Sequence, residues 1–323
     1  ATVLKAAHTS DWRALEQITA EAWLTKWSGA RAYESFWKPL LRAKLGDRHD
    51  EVSAAFIWAI MQRLYAARRA NMKQDLFGYL PGGYARTLER FASVLESRGA
   101  SIRTSARVET ITTDGGRPVV QLADGTVSHD RIVVTLPSPV AAAIIPALDA
   151  DERQRHAAIP YQGIVCPSLL LDGPLSDYYV TNITDSSSPF TGIIEMTALV
   201  DRAEFAGRSL VYLPQYVPPE DPLFAVPDQE ILDQSIAALS RMYPSFDLGQ
   251  VVAAAVGRAR HVLPLSTVGY SQRLPPMQTS VEGVFVVNSA HIVNGTLNVN
   301  ETVELVGRSL PVVTSGDRVE SAP

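Results

Sequence analysis

The run Ile164-Val165-Cys166-Pro167-Ser168-Leu169-Leu170-Leu171 is too short for a core helix and too apolar for a loop. Three further runs follow, at Tyr178 to Ile183, Gly192 to Thr197 and Ser209 to Tyr216, each set off by Pro, Gly, Asp or Ser. Short strands separated by such breakers read as an antiparallel sheet, and Val251 to Val262 offers one more strand. Asp228 to Tyr243 interrupts the pattern with helical spacing (Ile231, Leu232, Ile236, Leu239, Met242) that stops at Pro244.

Upstream, the first 75 residues read as helices. Trp23, Leu24 and Trp27, then Phe36, Trp37, Leu40 and Leu41, then Phe56, Ile57, Ile60, Met61 and Leu64 recur at spacings of three and four, with Gly29 and Gly46 as helix-ending residues. Leu76 to Tyr84 closes on Pro81-Gly82-Gly83 and leads into an amphipathic helix, with Leu88, Phe91, Ala92 and Leu95 expected inward and Gly99 as its stop. Strand signals follow at Ile102 to Thr104, Arg107 to Thr113, Val119 to Leu122 and Arg131 to Leu136, with turns at Gly115-Gly116 and Asp124-Gly125. Val284 to Val287 and a last helix near Asn300 to Leu310 return to mixed character, so the fold class is α+β.

Composition narrows the function. Of 323 residues 46% are apolar and 20% charged, which is enough to build a sizeable core. A formal charge of −5 with no basic run lacks the footprint that nucleic-acid binding needs. The single cysteine, Cys166, forms no intrachain disulfide, no run is long and apolar enough to span a membrane, and Ala1 to Ser10 has no apolar signal core. These features predict a cytoplasmic protein. No H-E-x-x-H, G-x-S-x-G, Walker motif, G-x-G-x-x-G or Cys/His cluster is present. From the residues alone, this is a two-lobed protein with an unassigned pocket.

A resemblance spans nearly the whole chain. Trp23-Leu24, Trp27-Ser28-Gly29, the run Phe36 to Gly46 and Val52-Ser53-Ala54-Ala55 resemble the helical region of bacterial FAD-dependent oxidoreductases of the flavin amine oxidase and phytoene desaturase type. Gly78-Tyr79-Leu80-Pro81-Gly82-Gly83, Arg107-Val108 with Ile111, and the acid-strand-proline element Asp130 to Pro137 are similar to that family's re-entry into its FAD lobe. The resemblance implies a truncated FAD-binding-like lobe, an antiparallel substrate lobe and a helical cap. It divides the chain into a helical part (1–75), a remnant of the FAD-type lobe (76–159), a substrate sheet (160–265) and a return to the FAD-type lobe (266–323).

Two departures shape the expectation. The family's opening strand, glycine-rich turn and helix, which hold the FAD pyrophosphate, have no counterpart in this sequence. The distal segment Val284-Phe285-Val286-Val287-Asn288-Ser289 also carries Asn288 where the resemblance places an acid. Together they predict a relic with no cofactor: a cyclase or isomerase that folds an apolar, polyene-like intermediate of bacterial natural-product biosynthesis into a reactive shape. One alternative is an FAD-dependent oxidoreductase whose glycine-rich segment comes from elsewhere, and another is a binding protein for an apolar small molecule. The surface left by the absent segment is expected to be repolarised, or covered by a homodimer mate or a partner chain.

Candidate catalytic residues are Glu195, the lone acid in an apolar strand; Tyr212, a phenolic donor; Asn182, a neutral donor; and His261, a proton carrier near neutral pH. Candidate substrate contacts are Tyr178, Tyr179, Thr197, Gln215 and Tyr216, and the resemblance adds His291 and Glu301 near the flavin face. Each also has a structural reading, as strand, turn or capping residue.

Overall fold

The computed structural model describes residues 5–6, 8–9, 11–67, 78–185, 187–294 and 296–315. The end of the expected first helical segment and the start of the re-entry stretch, 68–77, lie outside the described residues, as does Gly295.

The N-terminal helices form where caps and spacing place them. Asp11 caps α1 (Trp12–Glu16) and Thr19 caps α2 (Ala20–Ser28), each accepting a backbone N–H three residues on. Gly29, at φ 86°, ends α2, and a helical turn followed by a π-turn (Tyr33–Trp37) leads into α3 (Lys38–Leu45), which Gly46 ends at φ 60°. α4 (Ala54–Ala67) crosses beneath them. Trp23, Leu24, Tyr33, Leu41, Leu45, Ile57 and Met61 form their shared core, which Leu265 enters from the far end of the chain.

α5 (Gly83–Ser97) follows, then an antiparallel meander of β1 (Val108–Asp114), β2 (Arg117–Leu122) and β3 (Gly125–Ser128), turning at the two glycine sites read from the sequence. Residues 102–104, expected as a strand, have no strand partner among the described residues and run as an exposed loop, held by the Arg103–Asp124 ion pair at 3.0 Å. β4 (Ile132–Val134) leads to α6 (Ser138–Ile144) and α7 (Ala150–Ala157).

The central sheet is antiparallel throughout: β5 (Tyr161–Leu171), β6 (Val180–Asn182), β7 (Gly192–Glu195), β8 (Ser209–Tyr212), β9 (Gln215–Val217) and, after α8 (Asp228–Met242), β10 (Val251–Pro264). Its order is β10-β5-β8-β7-β6, with β9 on β5. The run 209–216 is two strands because Pro214 lacks the N–H a ladder needs. α8 covers one face, packing Ala238 and Leu239 on Leu169, Leu171, Ile193 and Val211. The cap docks at the sheet's end: Ser53 N donates to Ser266 O at 2.9 Å, and buried Glu16 accepts from Ser271 N and Oγ at 2.8 and 2.6 Å.

After the short α9 (Tyr270–Arg273), β11 (Val284–Val286) returns to lie parallel to β4, and α10 (Val299–Ser315) ends the described chain. Among the described residues β4 has a strand partner on one side only.

One expectation is overturned. The apolar stripe of α5 does not face inward: Tyr84, Leu88 and Phe91 are 70%, 62% and 58% exposed, and Val303 and Leu310 of α10 are 65% and 54% exposed. The helix has the predicted amphipathic spacing, but of the four residues expected inward only Ala92 and Leu95 are half-buried, and Tyr84 meets the start of α10 only across an open hollow.

These burials make a contrast testable by thermal unfolding. Leu239→Ala, in the closed sheet core, should cost about 2–5 kcal/mol, whereas Leu88→Ser should leave stability within about 0.5 kcal/mol and reduce self-association.

Candidate functional site

The face of the sheet opposite α8 gathers part of the expected constellation. Tyr212 sits across from Ser168 and Ile194, and Tyr216 across from Ile164, so both tyrosines share a face with Cys166 between them. Burial, followed by the Cys166 thiol, pushes both phenols above their ordinary pKa, and burial raises the thiol to about 11. All three are therefore neutral near pH 7, hydrogen-bonding groups rather than bases. Asn182, on edge strand β6, has the same parity through Val180 and Ile194 but is exposed, as is Tyr178. Gln215 is half-buried in β9, and half-buried Tyr179 accepts the Glu195 N–H at 2.9 Å through its carbonyl.

Glu195 lies on the other face, in register with Val211 of the α8-covered core, and is fully buried. Its carboxylate accepts from Leu175 N at 3.1 Å and from the Thr197 hydroxyl. It thus holds the loop before β6 onto the end of β7, away from the tyrosines. A lone buried acid meets its hydrogen-bonding requirement locally here.

His261 stands at the irregular end of β10, edge-on to Tyr161 with ring centroids 5.4 Å apart; burial and Arg260 lower its pKa. Tyr161 Oη accepts from Ser138 N at 3.3 Å, so this pair marks the seam between sheet and β4 lobe. His291 is buried, accepting Asn288 N on Nδ1 and donating from Nε2 to Pro275 O, each at 3.3 Å. Burial keeps it neutral-leaning against the pull of those carbonyls. Glu301, in the first turn of α10, is raised in pKa by burial and then by Glu304. Neither residue lines the cleft described next.

Asn288 has a definite task. Its amide NH₂ donates to Leu136 O at 2.8 Å and Ser138 Oγ at 3.1 Å, and its Oδ1 accepts Ala290 N at 3.0 Å. A carboxylate could not donate to Leu136 O, and could meet Ser138 only by accepting from its hydroxyl. The asparagine locks the end of β4 to the end of β11.

Sequence reading missed a cleft enclosing about 540 Å³ of empty space, part of it open to solvent, between α3, α4, the end of β10 and the turn before α10. Phe56, Ile60, Leu263, Pro264, Ile292 and Leu297 give it apolar walls; Lys44, Arg63, Ser266, Ser289 and Thr296 are its polar groups. The spacing of Phe56, Ile60 and Arg63 by four and three residues was a visible signal that one stripe of α4 faces a common space. Protein crowding, then the Arg63 guanidinium, pushes the Lys44 pKa below the ordinary lysine value.

Comparison with known proteins agrees with this layout. The sequence model for flavin containing amine oxidoreductases matches residues 7–299. The chain belongs to that family. No curated protein sequence matches it. Among solved structures, it is similar to an Exiguobacterium sp. 255-15 protein assigned as a protoporphyrinogen oxidase (18% identity, TM-score 0.69), covering 97% of this chain and 70% of that one. It is similar to putrescine oxidase bound to putrescine (15%, 0.67; 97% and 72% covered) and to reduced UDP-galactopyranose mutase (13%, 0.68; 93% and 69% covered). At these identities the likeness is one of fold. No helix among the described residues is long and apolar enough to cross a membrane.

Asn288→Asp should cost about 2–3 kcal/mol, because it removes the donor to Leu136 O and sets a buried carboxylate against that carbonyl; urea unfolding measures it. Acid should also weaken the fold through His156, which is fully buried with no hydrogen-bond partner on either ring nitrogen and is lowered to about 4 by burial and then by His291. Because the unfolded histidine titrates near 6.5, the unfolded state binds more protons between the two values. Stability is then full above about pH 6.5 and falls by roughly 3 kcal/mol towards pH 4. His156→Leu should flatten that part of the pH profile.

Proposed function

We propose that this chain supplies the cap, substrate sheet and flavin-facing cleft of an FAD-dependent oxidoreductase, and that an α/β segment with a glycine-rich turn completes its dinucleotide site. The carrying observation is the uncovered apolar surface. α5 and the start of α10 present Tyr84, Leu88, Phe91, Val299 and Val303 to solvent, and among the described residues β4 has a strand partner on one side only. Parallel sheets are stable when both faces and further strands are covered, and exposed apolar area of this kind fits an interface. The two features call for the same occupant, a strand and helix that extend β4.

The residues present fit part of FAD. The border of the cleft at Ile292 and Leu297 suits the edge of a planar ring system, with hydrogen bonds from Ser289 and Thr296, which leaves Phe56, Ile60 and Leu263 to the substrate. The phosphates find no glycine-rich cradle in this sequence, which is the share assigned to the covering segment. Bound FAD would accept a hydride equivalent from substrate. The chain's own part is to exclude water with α3 and α4 and to orient the substrate against the sheet face carrying Tyr212 and Tyr216. α3 packs against β9, which places Lys44 and Tyr216 on contacting elements.

A flavin-free cyclase has no use for the uncovered surface, and Asn288 is explained by the strand ends it joins. Both grounds for preferring that reading are thereby weakened. The family's name as an oxidoreductase supports the redox reading.

The test is flavin titration of the chain alone and of the chain mixed with a glycine-rich strand-helix segment built on the protoporphyrinogen oxidase-like neighbour. Alone, the chain should bind FAD no more than about threefold better than riboflavin, since the phosphates gain nothing. With the segment it should retain one equivalent of FAD, and α5 amides should become protected from hydrogen exchange. Protection of α5 without FAD retention, or turnover without flavin, would defeat the proposal.

A further inference from the structure

We infer that the cleft between α3 and α4 selects an apolar substrate with an anionic head, a carboxylate seated on Lys44 and Arg63. The inference rests on the substrate-cleft reading above and names the class of molecule it takes.

Four observations carry it. Lys44 and Arg63 line the same cleft, and among the described residues no aspartate or glutamate lines it with them. Neither cation has an ion-pair or hydrogen-bond partner among the described residues, although the other cations of α3 do: Lys38 pairs with Glu34 at 2.9 Å and Arg42 with Asp47 at 3.4 Å. The pairing pattern thus stops where the cleft begins. The other walls set Phe56, Ile60 and Leu263 beside Ser266, Ser289 and Thr296, so an anion held by the two cations has apolar surface next to it for a ligand body.

Two neighbouring cations left uncompensated repel one another, and Arg63 is the second cause, after burial, that lowers the Lys44 pKa. An anion between them removes the repulsion and gains charge-assisted hydrogen bonds from both, the guanidinium offering a two-pronged match to a carboxylate. An ammonium group would add a third positive charge. The cleft therefore discriminates against a diamine such as the putrescine held by one structural neighbour. Phe56, Ile60 and Leu263 would take the rest of the ligand, and their aliphatic and aromatic surface asks for a chain or ring body.

The test compares decanoate with decylamine, ligands of equal apolar body and opposite charge, by calorimetry on the chain without flavin. Decanoate should bind at least tenfold more tightly. Lys44→Met with Arg63→Gln should erase that preference, weakening decanoate tenfold or more and leaving decylamine unchanged or improved. Both side chains lack intramolecular partners, and circular dichroism of the double variant checks that the fold is kept. Equal affinities in the unaltered protein, or a preference that survives the double variant, would overturn the inference. Inorganic pyrophosphate is the control for a cofactor phosphate: if it binds on the two cations in preference to decanoate, they serve the dinucleotide and the carboxylate assignment fails. Since no arm requires flavin, loss of FAD binding with an intact decanoate preference would defeat the flavin proposal alone.

Discussion

Two three-residue strands, Ile132–Val134 and Val284–Val286, lie parallel although some 150 residues separate them, and the Asn288 amide closes them at their carboxyl ends. The sheet β5–β10 is an excursion from this pair, leaving through α6 and α7 and returning after α9. The register of β4 on β11 therefore sets where the sheet's root, Tyr161, meets Ser138, and where the turn into α10 meets the cap. With only three residues in each strand, the ladder alone is weak. The buried amide and the apolar packing of Ile132, Val134, Val284 and Val286 against Ala141 and Ile145 do most of the joining.

The cap depends on the same join at one remove. Its core is closed by Leu265, its first helix is held by the Glu16 carboxylate on Ser271, and its second bridge pairs Val52 with Thr267. All three partners lie in the segment connecting β10 to β11. The cleft between α3 and α4 is thus shaped by a stretch of chain anchored at both ends, by the sheet on one side and by the parallel pair on the other. Few of these contacts are local in sequence, which predisposes the domain to slow assembly.

What the sequence revealed follows the range of the forces involved. Helix ends at Gly29 and Gly46, the α8 stripe and the alternation that makes an antiparallel sheet are local, and each is where the pattern put it. The break at Pro214 is passed over when 209–216 is read as one run, although a residue without an N–H ends a ladder whatever the hydrophobic pattern around it. Glu195 shows the opposite case. An acid in an apolar strand reads equally as reactive or structural, and only the Leu175 amide and Thr197 hydroxyl beside it, brought there by the chain's path, decide what it holds. Lys44 and Arg63 were invisible as a pair because nineteen residues and a turn separate them; their meeting is a property of how α3 crosses α4.

The exposed face of α5 bears on function because of what selection does with apolar surface. A helix whose apolar stripe has lost its partner keeps no benefit from Leu88 and Phe91 and gains aggregation risk from them, so polar substitutions there would be retained. The stripe persists, together with apolar positions at Val299 and Val303 on the neighbouring helix start, around a shared hollow lined by Tyr84 and Leu297. β4, with a partner on one side only among the described residues, offers a new strand unpaired backbone groups. Asn288 does not count against a cofactor in this setting. Its donors are spent on Leu136 and Ser138, so the choice of amide over acid is dictated by the strand ends it must tie and carries no information about what lies beyond them.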